Sequence, residues 1–296
     1  MKLSMKQFKK SRSIGLPVLL CVVSVAPMMM LAQDDGRDGP PAILVVQREF
    51  TKPGRSGLAH EKTEGQFARE IEANKGEGYY FAMTAMSGED RTLFFSGYSS
   101  FADWETTTKA MAKHTAMTES LDRINMADGD LLSSADASVW RKRADMSMNT
   151  HNLTGARYMQ IEQFKLKPGH EAEWEETVKL VMDAYKKGIP EASWVMYEQV
   201  YGTGGSAFVV IEPLKSMGEI DEHYVDGKKF MEAIGKDGMQ RLEKLSAESM
   251  ESQQTNLFAI NPRMSRVPDE WKKAEPDFWS PKAMAPAKKM EAKPAQ

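Results

Sequence analysis

Cysteine is almost missing from this chain: Cys21 is the only one in 296 residues. A disulfide framework within the chain is therefore excluded, and so is a zinc site built on several thiolates. Basic charge is not in excess either. Lys and Arg number 39 against 42 Asp and Glu, a net charge of −3, so nothing in the composition invites nucleic acid. The sequence contains no H-E-x-x-H, G-x-S-x-G or EF-hand pattern, which removes the enzyme classes that depend on them. Gly202-Thr203-Gly204-Gly205 joins two strand-like runs instead of opening a helix, so it is not a phosphate loop.

What is present begins with an export signal. Lys2, Lys6, Lys9, Lys10 and Arg12 precede an apolar run from Ile14 to Ala32, and polar Gln33-Asp34-Asp35-Gly36 follows at once. A basic start, an apolar stretch and a small residue make the secretory pattern. The run is long enough to raise a retained anchor as the alternative, but Pro17 and Pro27 interrupt it and no basic stop-transfer cluster follows. Residues 1–32 are expected to be cleaved, placing the protein in the periplasm or outside the cell. Losing them removes five basic residues, no acidic ones and the lone cysteine, and leaves a charge of −8. No integral membrane segment is expected after cleavage, and residues 33–41 are expected to be a flexible N-terminus.

The remainder reads as one unit written twice. Ile43 to Phe50 is a strand-like run ending at Lys52-Pro53-Gly54, and Tyr158 to Phe164 is another ending at Lys167-Pro168-Gly169, 115 residues later. Proline cannot donate to a ladder and glycine frees the backbone, so each tripeptide marks a strand exit. A helical stripe follows each: Phe67, Ala68 and Ile71 in the first copy, Trp174, Val178, Val181, Met182 and Tyr185 in the second. Two strands then come in each copy, at 79–85 with 92–98 and at 193–200 with 207–211. Second helices start near Phe101 and Met217, and short apolar stretches, Ala137 to Trp140 and Asn256 to Ile260, close the copies.

The order β-α-β-β-α-β, twice, is the ferredoxin-like arrangement, an antiparallel sheet with both helices on one face. The bare face of each sheet needs a cover, and the other copy's sheet supplies it. The expected fold is α+β, with two tandem units, 42–144 and 156–261, packed as a pseudo-dimeric barrel and joined by a linker at 145–155. Residues 262–296, rich in Pro, Lys and Ala, are expected to be largely disordered. Trp271, Phe278 and Trp279 are costly to leave wet, and form either a strap across the barrel or a partner-binding arm. An Asn152-Leu153-Thr154 sequon lies in the linker and matters only in a eukaryotic secretory pathway.

This element order and the repeated turns resemble the dimeric α+β barrel superfamily over about residues 41–260. That group includes antibiotic-biosynthesis monooxygenase-like, NIPSNAP-like, stress-responsive and chlorite-dismutase-like haem proteins. The resemblance implies the fold far more than the function, because this fold hosts many activities. It also implies that a chain carrying both units is a monomer, its dimer contact satisfied internally.

Four sets of residues are candidates for chemistry. His60 and Glu64 share a helical stripe with Phe67 and Ile71, at the stations that Trp174 and Val178 hold in the second copy. A polar pair on a sheet-facing stripe suits a catalytic base and its orienter. The alternative is a frayed helix start in water, favoured by a first helix that reads about three residues longer than the second. His114, or His223 within Asp221-Glu222-His223-Tyr224, would be the haem ligand if haem is bound. The acidic neighbours of His223 read as a solvated face. Gln160 and Glu162 alternate with Met159 and Ile161, and Glu198 alternates with Tyr197 and Gln199; they form a wet sheet face or the polar lining of a barrel with Tyr158 and Tyr197 near it. Tyr80, Phe95, Trp104 and Trp194 are aromatic candidates for the wall of a cavity between sheet and helices. Seventeen of the 22 Met lie beyond residue 32 but are scattered, as core filler is, and form no copper-binding cluster. No metal and no required cofactor is expected. The expected function is the binding of a small apolar or aromatic molecule in a barrel cavity. The alternatives are a cofactor-independent monooxygenase-like enzyme, a haem-binding barrel, or an interaction module built on the aromatic tail.

Overall fold

The computed structural model describes residues 39–281, apart from Ser56, His151, Asn152 and Thr203. The export signal at 1–32, most of the segment 33–41 and the asparagine of the sequon lie outside the described residues. The first half of the fold runs β1 (Ile43–Thr51), α1 (Leu58–Ala73), β2 (Tyr80–Ala85), β3 (Arg91–Tyr98), α2 (Phe101–Met111), α3 (Thr115–Gly129) and β4 (Leu132–Lys142). The second runs β5 (Tyr158–Leu166), α4 (Glu171–Gly188), β6 (Val195–Tyr201), β7 (Ala207–Leu214), α5 (Gly218–Ser249) and β8 (Met250–Arg266), followed by the short helices α6 (Asp269–Ala274) and α7 (Pro276–Trp279). The fold is mixed α+β, and its eight strands close into one antiparallel barrel in the order β1-β3-β2-β8-β5-β7-β6-β4.

Each half contributes four strands in the ferredoxin-like order, β4-β1-β3-β2 and β8-β5-β7-β6. The halves are sewn together by β2 on β8, where Met83 faces Ile260, and by β4 on β6, where Arg141 faces Glu198. No strand edge is left open, which removes the usual route to edge-to-edge association.

Alternation along each strand sorts side chains to two faces. Leu44, Val46, Phe95, Met159, Val209 and Phe258 point inward with Tyr197 and fill the interior. An eight-stranded barrel has room for packed side chains or for one small ligand, and here buried side chains occupy it. In place of the expected barrel cavity, these residues form a packed core, and a cavity lies on the outer, helix-covered face. There α1 packs beside α3 and across β8, and α4 packs beside α5. Gly65 permits the first of these contacts, since a Cβ there would meet the Arg263 carbonyl at 2.9 Å.

Local sequence accounts for the helix boundaries. The Ser100 hydroxyl accepts from the Asp103 amide at 3.1 Å and starts α2. α5 is broken at Gly235, where φ is 68°, a backbone value that glycine adopts without penalty. Helix α1 has 16 residues and α4 has 18, so the first helix is the shorter one, contrary to the expectation.

The C-terminal segment departs from the expected disorder as far as it is described. β8 continues to Arg266, well past the expected boundary at 261. Trp279 is 4% exposed and joins the interior cluster with Val267, and Trp271 and Phe278 pack against that cluster. The Trp279 indole donates to the Thr154 carbonyl at 3.0 Å. Arg157 lies 4.0 Å from the Phe278 ring centroid and pairs with Glu275 at 2.9 Å. The aromatics are a strap on the barrel. The linker is likewise partly structured: Met146 and Met148 are buried, and Met148 bridges to Trp194.

Candidate functional site

A cavity of about 890 Å³ opens between the outer face of the second half-sheet and helices α4 and α5. Its apolar wall is aromatic. Trp174 lies 4.7 Å from Phe164 and 5.4 Å from Phe208 between ring centroids, and Tyr185 lies 5.0 Å from Trp194. The Trp194 indole is spent on the Met146 carbonyl at 2.9 Å. The Trp174 indole is buried with no hydrogen-bond partner, which leaves a donor for a ligand acceptor.

The polar side of the cavity comes from β5, β7 and α5. Gln160 Nε2 donates to Glu212 Oε2 at 3.1 Å, and His223 Nε2 lies 3.2 Å from Glu212 Oε1. Burial pushes the Glu212 carboxyl above the ordinary range; His223 counteracts this, and Glu162 and Glu219 reinforce it. Tyr185 is also raised, by burial first and then by Glu212, Glu162 and Asp226. Acidic groups dominate the lining, with Glu162, Glu191, Glu212, Glu219, Glu222 and Asp226 present against Lys215. A carboxylate of raised pKa beside an imidazole, in a concave aromatic site, has the composition expected of a binding or acid–base centre.

A second polar cluster lies under the helices of the first half. Glu49 on β1, His60 and Glu64 on α1 and Asp128 on α3 are all buried, and one ligating atom of each lies within 4.8 Å of the others. His60 Nε2 is 3.0 Å from Glu49 Oε2 and 3.7 Å from Asp128 Oδ1. The Gln47 amide donates to Glu49 Oε1 at 2.5 Å, and the Thr63 hydroxyl donates to Asp128 Oδ1 at 2.5 Å. Thr92 Oγ1 faces His60 Nδ1 at 3.4 Å. Burial, then the fields of Glu49 and Asp128, push Glu64 up to about 9. Burial likewise raises Asp128, against the pull of Thr63 and His60.

The residues expected from sequence divide as follows. His60 and Glu64 do meet, and they are 2% and 5% exposed, so the start of α1 is packed and not frayed in water. Their partners Glu49 and Asp128 are not among the sequence candidates, since neither belongs to a motif or a periodic stripe. Gln160, Glu162 and Trp194 line the cavity, but from the helix side of the sheet and not from inside the barrel. Tyr197 and Phe95 are interior core residues, and the Tyr197 hydroxyl donates to the Pro41 carbonyl at 3.0 Å. Glu198 leaves the cavity to pair with Arg141 at 2.9 Å. Tyr158 is half-buried at the start of β5, outside the cavity lining. Tyr80 packs on Phe94 in the first half, and Trp104 stacks on Tyr98 at 5.9 Å. Met83 and Met196 are buried, whereas Met86 and Met231 are exposed and fill no core.

Neither haem candidate fits the group. His114 is the N-cap residue of α3, in the half without the cavity. His223, expected on a solvated face, does line the cavity, but its Nε2 is engaged by Glu212. Binding iron at Nε2 would leave the half-buried Glu212 with Gln160 as its hydrogen-bond donor and no counter-charge among the described residues, and an acidic lining repels the two propionates of haem.

No protein-family model matches this chain, and no curated protein matches it. Among solved structures it is similar to an anthrone oxidase-like protein, at 13% identity over 76% of this chain and 92% of the other, with a TM-score of 0.47. It is also similar to a mutant chlorite dismutase from Candidatus Nitrospira defluvii, at 10% identity over 79% and 95%, with a TM-score of 0.45. Likeness at this level says nothing of activity, which must be read from this chain's own side chains.

Proposed function

We propose that the protein binds a small aromatic molecule bearing a protonated amine or a comparable hydrogen-bond donor, in the cavity between the second half-sheet and α4 and α5. The observation that carries this is the meeting of an aromatic wall with the Glu212–His223 pair in one 890 Å³ space. The ring system of the ligand packs on Trp174, Tyr185 and Trp194, and π-faces favour a nearby cation. The ionised Glu212 accepts from the ligand's donor, and the acidic lining disfavours anions. The unpartnered Trp174 indole donates to an acceptor elsewhere on the ligand. The protein does this after export, as a monomer formed from two duplicated units; the secretory pattern of residues 1–32 and the repeated Lys-Pro-Gly turns support these parts of the reading.

Native mass spectrometry of the protein isolated from its own compartment tests the proposal. An organic adduct present in wild type and lost from the Glu212→Gln variant is the expected result. An apo mass that no aromatic amine shifts would overturn it.

A second reading is favoured by the same pair. Glu212 and His223 form a base able to deprotonate an electron-rich phenolic ligand, whose anion would then react with O₂ without a cofactor. Oxygen consumption on addition of such a ligand, abolished in the Glu212→Gln variant, separates catalysis from binding.

A further inference from the structure

We propose that Glu49, His60, Glu64 and Asp128 form a binding site for one divalent first-row transition ion, of the Mn²⁺, Fe²⁺ or Zn²⁺ class. The donor set is one imidazole and three carboxylates, the mixture of borderline and hard ligands that this class accepts. Such ions hold nitrogen and oxygen donors at about 2.0–2.2 Å, so opposed donors sit about 4 Å apart. The four ligating atoms already lie within 4.8 Å of one another, so an inward shift of these side chains closes them on a single ion.

Charge gives the first reason. The only ion-pair partner of these carboxylates among the described residues is His60. Three buried acids facing one imidazole need either protons or a cation. The second reason is the way the donors are held. Gln47 fixes one oxygen of Glu49 and leaves the other toward His60, and Thr63 orients Asp128. Thr92 faces His60 Nδ1, so the imidazole presents Nε2 to the carboxylates. Metal-ligating histidines and carboxylates carry outer hydrogen-bond partners of this kind. The third reason is independent of the cluster itself. The hydroxyl of Tyr80 on β2 is buried without a hydrogen-bond partner, and the fields of Glu64 and Glu49 act on it. A water carried on the ion would give this orphan donor a partner. The bound ion would tie α1 and α3 to β1, which makes its binding energy part of the stability of the first half.

The test strips the full-length protein with a chelator and then adds Zn²⁺, Mn²⁺ or Ca²⁺ singly. The expected result is one Zn²⁺ or Mn²⁺ per chain by elemental analysis after gel filtration, with a raised melting temperature. The Glu64→Gln, Asp128→Asn double variant keeps side-chain volume and sheds buried charge, so its circular dichroism should be native while its affinity falls at least a hundredfold. Should that variant fail to fold, the melting shift of stripped wild type on adding each ion decides alone. Absence of uptake by wild type, equal uptake by the folded variant, or preference for Ca²⁺ would each overturn the assignment.

Discussion

His223 Nε2 lies 3.2 Å from Glu212 Oε1, which brings the N-terminal part of the second half's long helix onto the carboxylate that β7 presents to the cavity. The contact sets an imidazole against a carboxyl that burial raises above its ordinary range. The pH behaviour of the cavity follows from it.

Glu212 is raised in the folded state, chiefly by burial. A raised carboxyl stabilises the fold fully below its unfolded value, and that contribution is lost as pH rises through the folded value. The groups facing Glu212 are Gln160 and Glu162 from β5, His223 and Glu219 from α5 and Tyr185 from α4. Binding of an aromatic amine requires the ionised form. Affinity for such a probe should therefore rise with pH from 4.5 upward, while the melting temperature of the empty protein falls over the same window. Titration calorimetry and thermal melts at a series of pH values check both slopes, and Glu212→Gln should flatten them.

Trp174 combines a packing role with an unspent donor. Trp174→Ala should cost about 3–5 kcal/mol of stability, the usual range for truncating a buried tryptophan. Trp174→Phe keeps an aromatic ring in the site, removes the unpartnered N–H and gives up part of the packing. It should lower the melting temperature much less than Trp174→Ala does and weaken ligand binding severalfold. Melting and binding measured on both variants separate the two roles.

The strap makes a prediction about the C-terminus. Trp279 is buried and its indole is bonded to the Thr154 carbonyl, so Trp279→Ala should cost about 3–5 kcal/mol in chemical denaturation. Truncation at Pro262 should do worse, because it removes the end of β8, which pairs Arg266 with Tyr80. A truncated protein as stable as wild type would mean that the aromatics serve a partner instead.

The barrel uses all its strand edges within one chain. Light scattering should therefore report a monomer at micromolar concentration, and a stable dimer would show that a further surface is buried between chains.

Part of this arrangement is legible in the amino-acid sequence. The stripe His60, Glu64, Phe67 and Ile71 identifies the buried face of α1, because helical spacing alone selects it, and the pair is as buried as Trp174 and Val178 on α4. Glu49 and Asp128 cannot be read the same way. One closes a strand whose other outward residues are ordinary, and the other ends a helix 68 residues from His60 in a stretch that looks solvated; only the packing of α1 and α3 over β1 unites them. Glu212 carries no signal of its own, because it follows the apolar run of β7 and precedes Pro213, where a strand would be expected to end. The polar face of β5 lies on the opposite side from the barrel lining for a related reason. Alternation tells which residues share a face, but whether that face meets helices or the barrel interior depends on closure through β2–β8 and β4–β6.

The most direct test of the central claim compares an arylalkylamine with the arylalkylcarboxylate of the same ring and chain length by calorimetry near neutral pH. A hydrogen bond to a charged partner contributes about 1.5–3 kcal/mol, or roughly ten- to a hundredfold in affinity. The amine should bind at least tenfold tighter to wild type, and the advantage should disappear in the Glu212→Gln variant. Equal or tighter binding of the carboxylate, or an amine affinity untouched by that substitution, would contradict the assignment of the cavity.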